Sequence, residues 1–275
     1  MKKVRIFALN KAAVVGVVIL AIFAFVAIAA PLLTPYDPVA QNLAAAFNPP
    51  SLAHPFGTDD LGRDMLARIM YGGRYTLMIG VAAVTLATLI GVPLGLISGY
   101  FGGWIDMVIM RITDIMLAFN PFLLALVLVA VLGVGLNSVI IAAGIGVVPQ
   151  FIRLTRGQAL SLREQIYVEA AQAFGERPLN IVRRHLLRNS WTPIIVFATL
   201  NVGLTILVAA GLGFLGLGVQ APLPEWGTML GEGRAYIFYA SYTTMLPGLA
   251  IFLGVLAFNM AGDGLRDALD PSLRV

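Results

Sequence analysis

The chain has 275 residues, of which 59% are hydrophobic and 12% charged, with a formal net charge of +4. Soluble domains carry about 25% charged residues, so half that share points to a bilayer as solvent. The absence of cysteine excludes a disulfide framework, a thiol nucleophile and a cysteine-based metal site, and His54 and His185 stand too far apart in sequence to suggest a histidine-rich one.

Spanning a bilayer takes about 20 apolar residues in a helix. Six runs qualify: 12–33, 75–98, 106–132, 136–153, 193–217 and 244–262. They are too long and continuous for barrel strands, so the expected fold is an all-α integral membrane domain of six transmembrane helices. The first run follows Lys2, Lys3, Arg5 and Lys11, as a signal peptide would, but it is long for one and reads as a retained first span.

The segment 34–73 leaves the membrane through "TPYDP" and ends in "FGTDDLGRDMLARIMYGG". Leu61, Met65 and Ile69 recur at i, i+4 and i+8. Thr58 or Asp59 is expected to cap a short amphipathic helix there, and Gly72-Gly73 to end it. Asp59, Asp60 and Asp64 are the acidic residues expected at a helix N-terminus, and Arg63 and Arg68 nearby argue against a metal there.

In the second span Gly91, Gly95 and Gly99 make a small-xxx-small packing stripe. The third carries Asp106, Arg111 and Asp114; Arg111 and Asp114 are expected to pair at i, i+3, either as an interfacial anchor or as an inner gate. Asn120-Pro121 is expected to bend this span. In the fifth, Asn201 and Thr205 lie at i, i+4, and Asn259 lies in the sixth; they are candidates for helix–helix hydrogen bonds or for a polar pathway lining. "GLGFLGLG", 211–218, is a hinge or a close-packed helix end. An outer loop, 218–243, is expected to hold a short helix. The chain divides at residue 73 into an N-terminal part, 1–73, and a core, 74–275.

Fourteen of the 18 basic residues fall on one side if both termini are cytoplasmic, seven of them within 153–190. This inward segment, 154–190, contains "REQIYVEAAQAFGERPLNIVRRHLLRN". Tyr167, Ala170, Ala171 and Phe174 fall at i, i+3, i+4 and i+7 of a helix over 163–174. Glu169 faces solvent or a basic partner. Gly175 stops the helix and Pro178 opens a second, with Leu179, Val182 and Leu186 on one face. The loop therefore reads as helix–glycine–helix with a small apolar knob.

"EAAQAFG", 169–175, resembles the EAA loop of ABC-importer permeases, matching at Glu169, Ala170, Ala171 and Gly175. "RHLLRN" continues the resemblance, with Arg188 where the family usually has proline. "HPFGTDDLGRDMLARIMYGGRYTL", "ISGYFGGWIDMVIMRITDIMLAF", "GFLGLGVQAPLPEWGTML" and "GDGLRDALDPSLR" resemble the second permease of dipeptide/oligopeptide importers, a family that includes glutathione, nickel and metallophore systems. The resemblance implies a type I ABC-importer permease in a bacterial or archaeal cytoplasmic membrane, working by alternating access. It implies that Glu169, Ala170, Ala171, Phe174 and Gly175 couple to an ATPase. Asp114, Arg111, Asn120, Asn201, Thr205 and Asn259, polar within apolar runs, are the candidate pathway or gate residues. The implied partners are a homologous permease, two ATP-binding subunits, an extracytoplasmic substrate-binding protein and lipid, without nucleic acid. No phosphate-loop motif is present, and the lysines are Lys2, Lys3 and Lys11 alone. The implied ATP and magnesium therefore belong to partner subunits, and the chain itself is not expected to be an enzyme.

Two rival classes differ in their requirements. An intramembrane enzyme would need a dyad; Asp106 and Asp114 are eight residues apart, about 12 Å along a helix, too far to share a proton. An ion-driven transporter would not need the EAA-like loop.

Overall fold

The computed structural model describes residues 10–269. The basic residues Lys2, Lys3, Arg5 and Arg274, and the end of the last family-like block, lie outside the described residues. Among the described residues the regular structure is helical, with ten α-helices. Five are long and apolar enough to cross a membrane, or six spans if one bent pair counts as a single span.

Helix α1, Lys11–Leu33, is capped by Asn10, whose side chain accepts from the Ala13 N–H. Its buried residues are small: Ala13, Gly16, Ala27 and Ala30. A Cβ on Gly16 would lie 2.8 Å from the Ala257 carbonyl and from Met260, so glycine allows α1 to lie close on the last helix. Pro31 has no N–H, which leaves the Ala27 carbonyl without its helical donor. Arg74 fills the gap, donating from Nε to Ala27 O and, at 3.0 Å, to Ile28 O.

Helix α2 runs without interruption from Met65 to Phe101. The expected short outer helix and the second span are thus one element, a correction at both ends. The N-cap is Asp64, which accepts from Ala67 N at 2.7 Å, rather than Thr58 or Asp59. Gly72 and Gly73 do not end the helix. They lie buried beneath the Trp226 ring, where a Cβ would stand 3.0–3.1 Å away; their role is close approach, and the helical hydrogen bonds continue through them.

The third expected span is two helices, α3 (Gly103–Leu117) and α4 (Pro121–Leu132), bent by 93°. Pro121 disfavours a helical Asn120, and Asn120 becomes the α4 N-cap, accepting from Phe122 N at 2.9 Å. Twelve residues rise only about 18 Å, short of the roughly 30 Å hydrocarbon core. Helix α5, Leu136–Arg163, packs along α2. Gly91 and Gly99 sit against the Phe151 and Ala159 Cβ atoms, and Gly95 against Thr155 Oγ1. The glycine stripe is therefore the α2–α5 seam.

After α5 come α6 (Ile166–Ala173), α7 (Pro178–Ile181), a π-helical turn over Val182–Leu186, and α8 (Leu187–Phe214). The chain is helical from Pro178 to Phe214. At the opposite end, α9 (Trp226–Gly233) leads to α10 (Tyr242–Leu269). Glu225 caps α9, accepting from Gly227 N and Thr228 N and from Thr76 Oγ1 of α2, each at 2.9 Å. Burial pushes this carboxyl above the usual carboxylate range, against the pull of these donors.

The outer segment is fastened to α9 by ions. Arg63 meets Asp59 at 2.6 Å and Glu232 at 3.2 Å, and Arg68 meets Glu232 at 2.9 Å. Asp64 also bonds His54 at 2.9 Å. Asp59 and Asp64 are thus committed to arginine, histidine and helix capping. Gly213 and Gly218 lie against each other and against Glu225–Thr228, so the glycine-rich end of α8 is closely packed.

Candidate functional site

The arginine-rich end carries the segment 164–190. Helix α6 is held down by Val168, fully buried, and by half-buried Ala171. Its C-terminus is a Schellman turn: Glu176 N donates to Ala171 O at 3.0 Å and Gly175 N to Gln172 O at 2.9 Å, with Gly175 at φ +75°. A side chain at residue 175 would carry the left-handed penalty, which explains glycine there. Pro178 stands at the start of α7, where its missing N–H costs nothing.

What remains outward is apolar. Phe174 is 91% exposed, Ile166 83% and Leu179 67%. Glu169 and Ala170 are exposed beside them. The sequence reading put Leu179 on one face with Val182 and Leu186; the last two are buried, with Ile181, and Leu179 is exposed. The helix begins at Ile166 rather than 163, because α5 extends to Arg163. Sequence reasoning passed over Val168 and Ile166. The i, i+3 pair of Val168 and Ala171 was the available signal for the anchoring face.

Two polar links tie α6 to the long helices, and a third closes the turn that follows it. Asn189 Nδ2 of α8 donates to the Tyr167 hydroxyl at 3.1 Å and to His185 O at 2.8 Å. Gln172 Nε2 donates to the Tyr100 hydroxyl at the end of α2, at 3.4 Å. His185 Nε2 and Glu176 Oε2 are 2.9 Å apart. The first two links join α6 to the ends of α8 and α2.

The candidate pathway residues fall in three places. Arg111 and Asp114 do not pair: Asp114 bonds Arg153 of α5 at 2.9 Å, both side chains more than half exposed, and Arg111 has no ion pair among the described residues. The carboxylate's partner comes from α5. Asp106 holds Arg156 with both oxygens, at 2.6 and 2.7 Å, and accepts from Ser98 at 2.5 Å. Asn120 sits at the α3–α4 break. Asn201 and Thr205 are buried in the bundle and bond back to their own helix, to Phe197 O and Asn201 O. Asn259 is exposed on α10, continuing the exposed line of Met245, Leu249, Phe252 and Leu256. Arg153 and Arg156 were missed as partners because they lie 39 and 50 residues from their carboxylates.

Residues 91–275 match the family described as "Binding-protein-dependent transport system inner membrane component", and residues 3–50 match "N-terminal TM domain of oligopeptide transport permease C". The chain is 52% identical over 265 residues to the dipeptide transport system permease protein DppC of Alkalihalophilus pseudofirmus, covering 96% of this chain and 87% of that one. It is 47% identical to the glutathione transport system permease protein GsiD of Escherichia coli O157:H7, covering 90% and 82%. To the probable D,D-dipeptide transport system permease protein DdpC of Escherichia coli strain K12 it is 44% identical, covering 94% and 87%. Its fold is similar to a chain of the MetNI methionine ABC transporter in an inward-facing conformation, with a TM-score of 0.60 at 21% identity, over 75% of this chain and 98% of that one.

Proposed function

Since the chain belongs to the family of binding-protein-dependent transport inner-membrane components, we propose that this permease subunit forms half of the pathway of an ATP-driven importer of di- or oligopeptides. Relatives named for dipeptides and for glutathione, itself a short peptide, support that substrate class. The carrying observation is the knob formed by α6, the turn after it and α7: Val168 clamps α6, and Ile166, Phe174 and Leu179 are left exposed for a partner. In this reading Glu169, Ala170, Ala171, Phe174 and Gly175 fill a groove on an ATP-hydrolysing subunit in the cytoplasm. A homologous permease completes the pathway, and a binding protein delivers the peptide from outside. The ATP and its magnesium are bound by the ATPases.

Closure of the ATPases moves α6. The Tyr167–Asn189 and Gln172–Tyr100 links pass that motion to α8 and α2, and the long helices change from inward-open to outward-open. Asp114 with Arg153, together with Arg111 and Asn120 at the α3–α4 break, are proposed as the inner gate, and Asn259 as part of the lining. Asn201 and Thr205 brace α8.

The test is uptake by a Gly175→Asp variant in the native host, with pull-down of the tagged chain. An aspartate at φ +75° carries a left-handed cost that glycine avoids, and it puts a negative charge at the C-terminus of α6, beside exposed Phe174. The expected result is loss of uptake and of retained P-loop ATPases, with the partner permease still retained. Unchanged uptake overturns the coupling role and reopens an ion-driven mechanism.

A further inference from the structure

Beside α6, and bordered by its Tyr167–Asn189 link, lies an open polar groove lined by Arg183, Arg184, His185 and Arg188, with Glu176 as its carboxylate. Glu176 is spent on His185 at 2.9 Å and stands 3.9 Å from Arg184, too far for a hydrogen bond. Arg183 and Arg188 have no ion pair among the described residues. The groove thus holds three guanidinium groups against one already engaged carboxylate. Arg184 is 73% exposed in its side chain.

The stripe that carries these charges continues into the membrane. Arg184, Arg188 and Trp191 follow at i, i+4 and i+7, and Trp191 is 55% exposed. Trp191 lies 23 residues before the end of α8 at Phe214, about 35 Å along the helix. The hydrocarbon core is roughly 30 Å thick, so when Phe214 is near one boundary, Trp191 lies at the other, the depth that tryptophan favours. Arg188 and Arg184 then lie about 5 and 10 Å further out, at the depth of lipid phosphates. One water-borne protein surface does not reach both the arginines and a tryptophan at the acyl boundary. A phospholipid does, with its phosphate on the guanidiniums and its glycerol and upper chains along Trp191.

We propose that this groove is a site for the headgroup of an anionic phospholipid, with Arg184 and Arg188 gripping the phosphate and Trp191 seating the glycerol end. Guanidinium suits the role because its planar donors match phosphate oxygens in pairs. The inference depends on insertion in a bilayer and not on the transported substrate or on ATPase coupling.

The test uses the full chain, purified with whatever subunits it retains and placed in nanodiscs of phosphatidylcholine with phosphatidylglycerol. Native mass spectrometry counts the phosphatidylglycerol that stays bound after transfer to lipid-free detergent. Each guanidinium that hydrogen-bonds the phosphate is worth about tenfold in occupancy. Arg184→Ala and Arg188→Ala should each lower retention about that much, and the double variant by about a hundredfold. Arg177→Ala removes an equal charge outside the groove and should leave retention unchanged. The lysine variants of both residues, which keep charge and fold, should retain more lipid than the alanine ones. Equal losses from Arg177→Ala and Arg188→Ala overturn the site in favour of diffuse attraction. Unchanged lipid retention with loss of a protein subunit overturns it in favour of an acidic protein partner.

Discussion

Asp106 and Asp114 sit two turns apart on α3 and do different work. Asp106 is mostly buried, grips Arg156 through both oxygens and accepts from Ser98. Its removal leaves a half-buried guanidinium without its carboxylate, at a cost of about 1.5–3 kcal/mol for the charge-assisted bonds. Asp114 meets Arg153 in the open, with side chains 55% and 60% exposed, where an ion pair contributes about 0–1 kcal/mol. Asp106→Ala should therefore lower the thermal unfolding midpoint in detergent clearly more than Asp114→Ala. Equal midpoints for the two variants would contradict this ranking. In transport the order should reverse if Asp114 serves the gate: Asp114→Ala should impair uptake at a stability close to the parent's.

Among the elements, α2 and α5 make the broadest seam, and glycines set its closeness. A Cβ on Gly95 collides with Thr155 Oγ1 and the Ile152 carbonyl, the latter being backbone that cannot rotate away. Gly95→Ala should destabilise by about 1–3 kcal/mol, as overpacking does. Gly157, on α5 itself, has nothing within 4 Å of its Cβ position. There alanine should gain up to about 1 kcal/mol of helix propensity. Opposite shifts of the unfolding midpoint for these two Gly→Ala changes check that the seam, rather than glycine content, limits stability. A loss at both positions would show that helix α5 depends on flexibility at Gly157.

For the molecule as a whole, the proposal places the arginine-rich end in the cytoplasm and α9 with the outer segment outside. The chain has no cysteine, so single reporters need no prior substitution. Glu164→Cys, exposed between α5 and α6, should react with a membrane-impermeant maleimide only after the cells are permeabilised. Phe238→Cys, at a fully exposed position before α10, should react in intact cells. The reverse pattern would invert the topology and move the proposed ATPase contact to the wrong compartment.

The sequence by itself determined the solvent, the helical class, the number of apolar runs and the place of the helix–glycine–helix segment. Each of these rests on local rules: run length against bilayer thickness, glycine at a left-handed turn, proline at a first helical turn, charge bias between loops. Gly175 and Pro178 were legible because their conformations depend on their own φ angle. Tertiary structure alone decided whether Gly72-Gly73 ended a helix or let Trp226 approach it, since both uses require the same missing Cβ. It alone sent Asp114 to Arg153 and not to Arg111, and Asp106 to Arg156, because a charge pairs with the nearest well-oriented partner in space. It alone turned Asn120-Pro121 into a 93° break and buried Val168 while leaving Phe174 outward. Such choices depend on which helices become neighbours, and that information is spread over residues far apart in the chain.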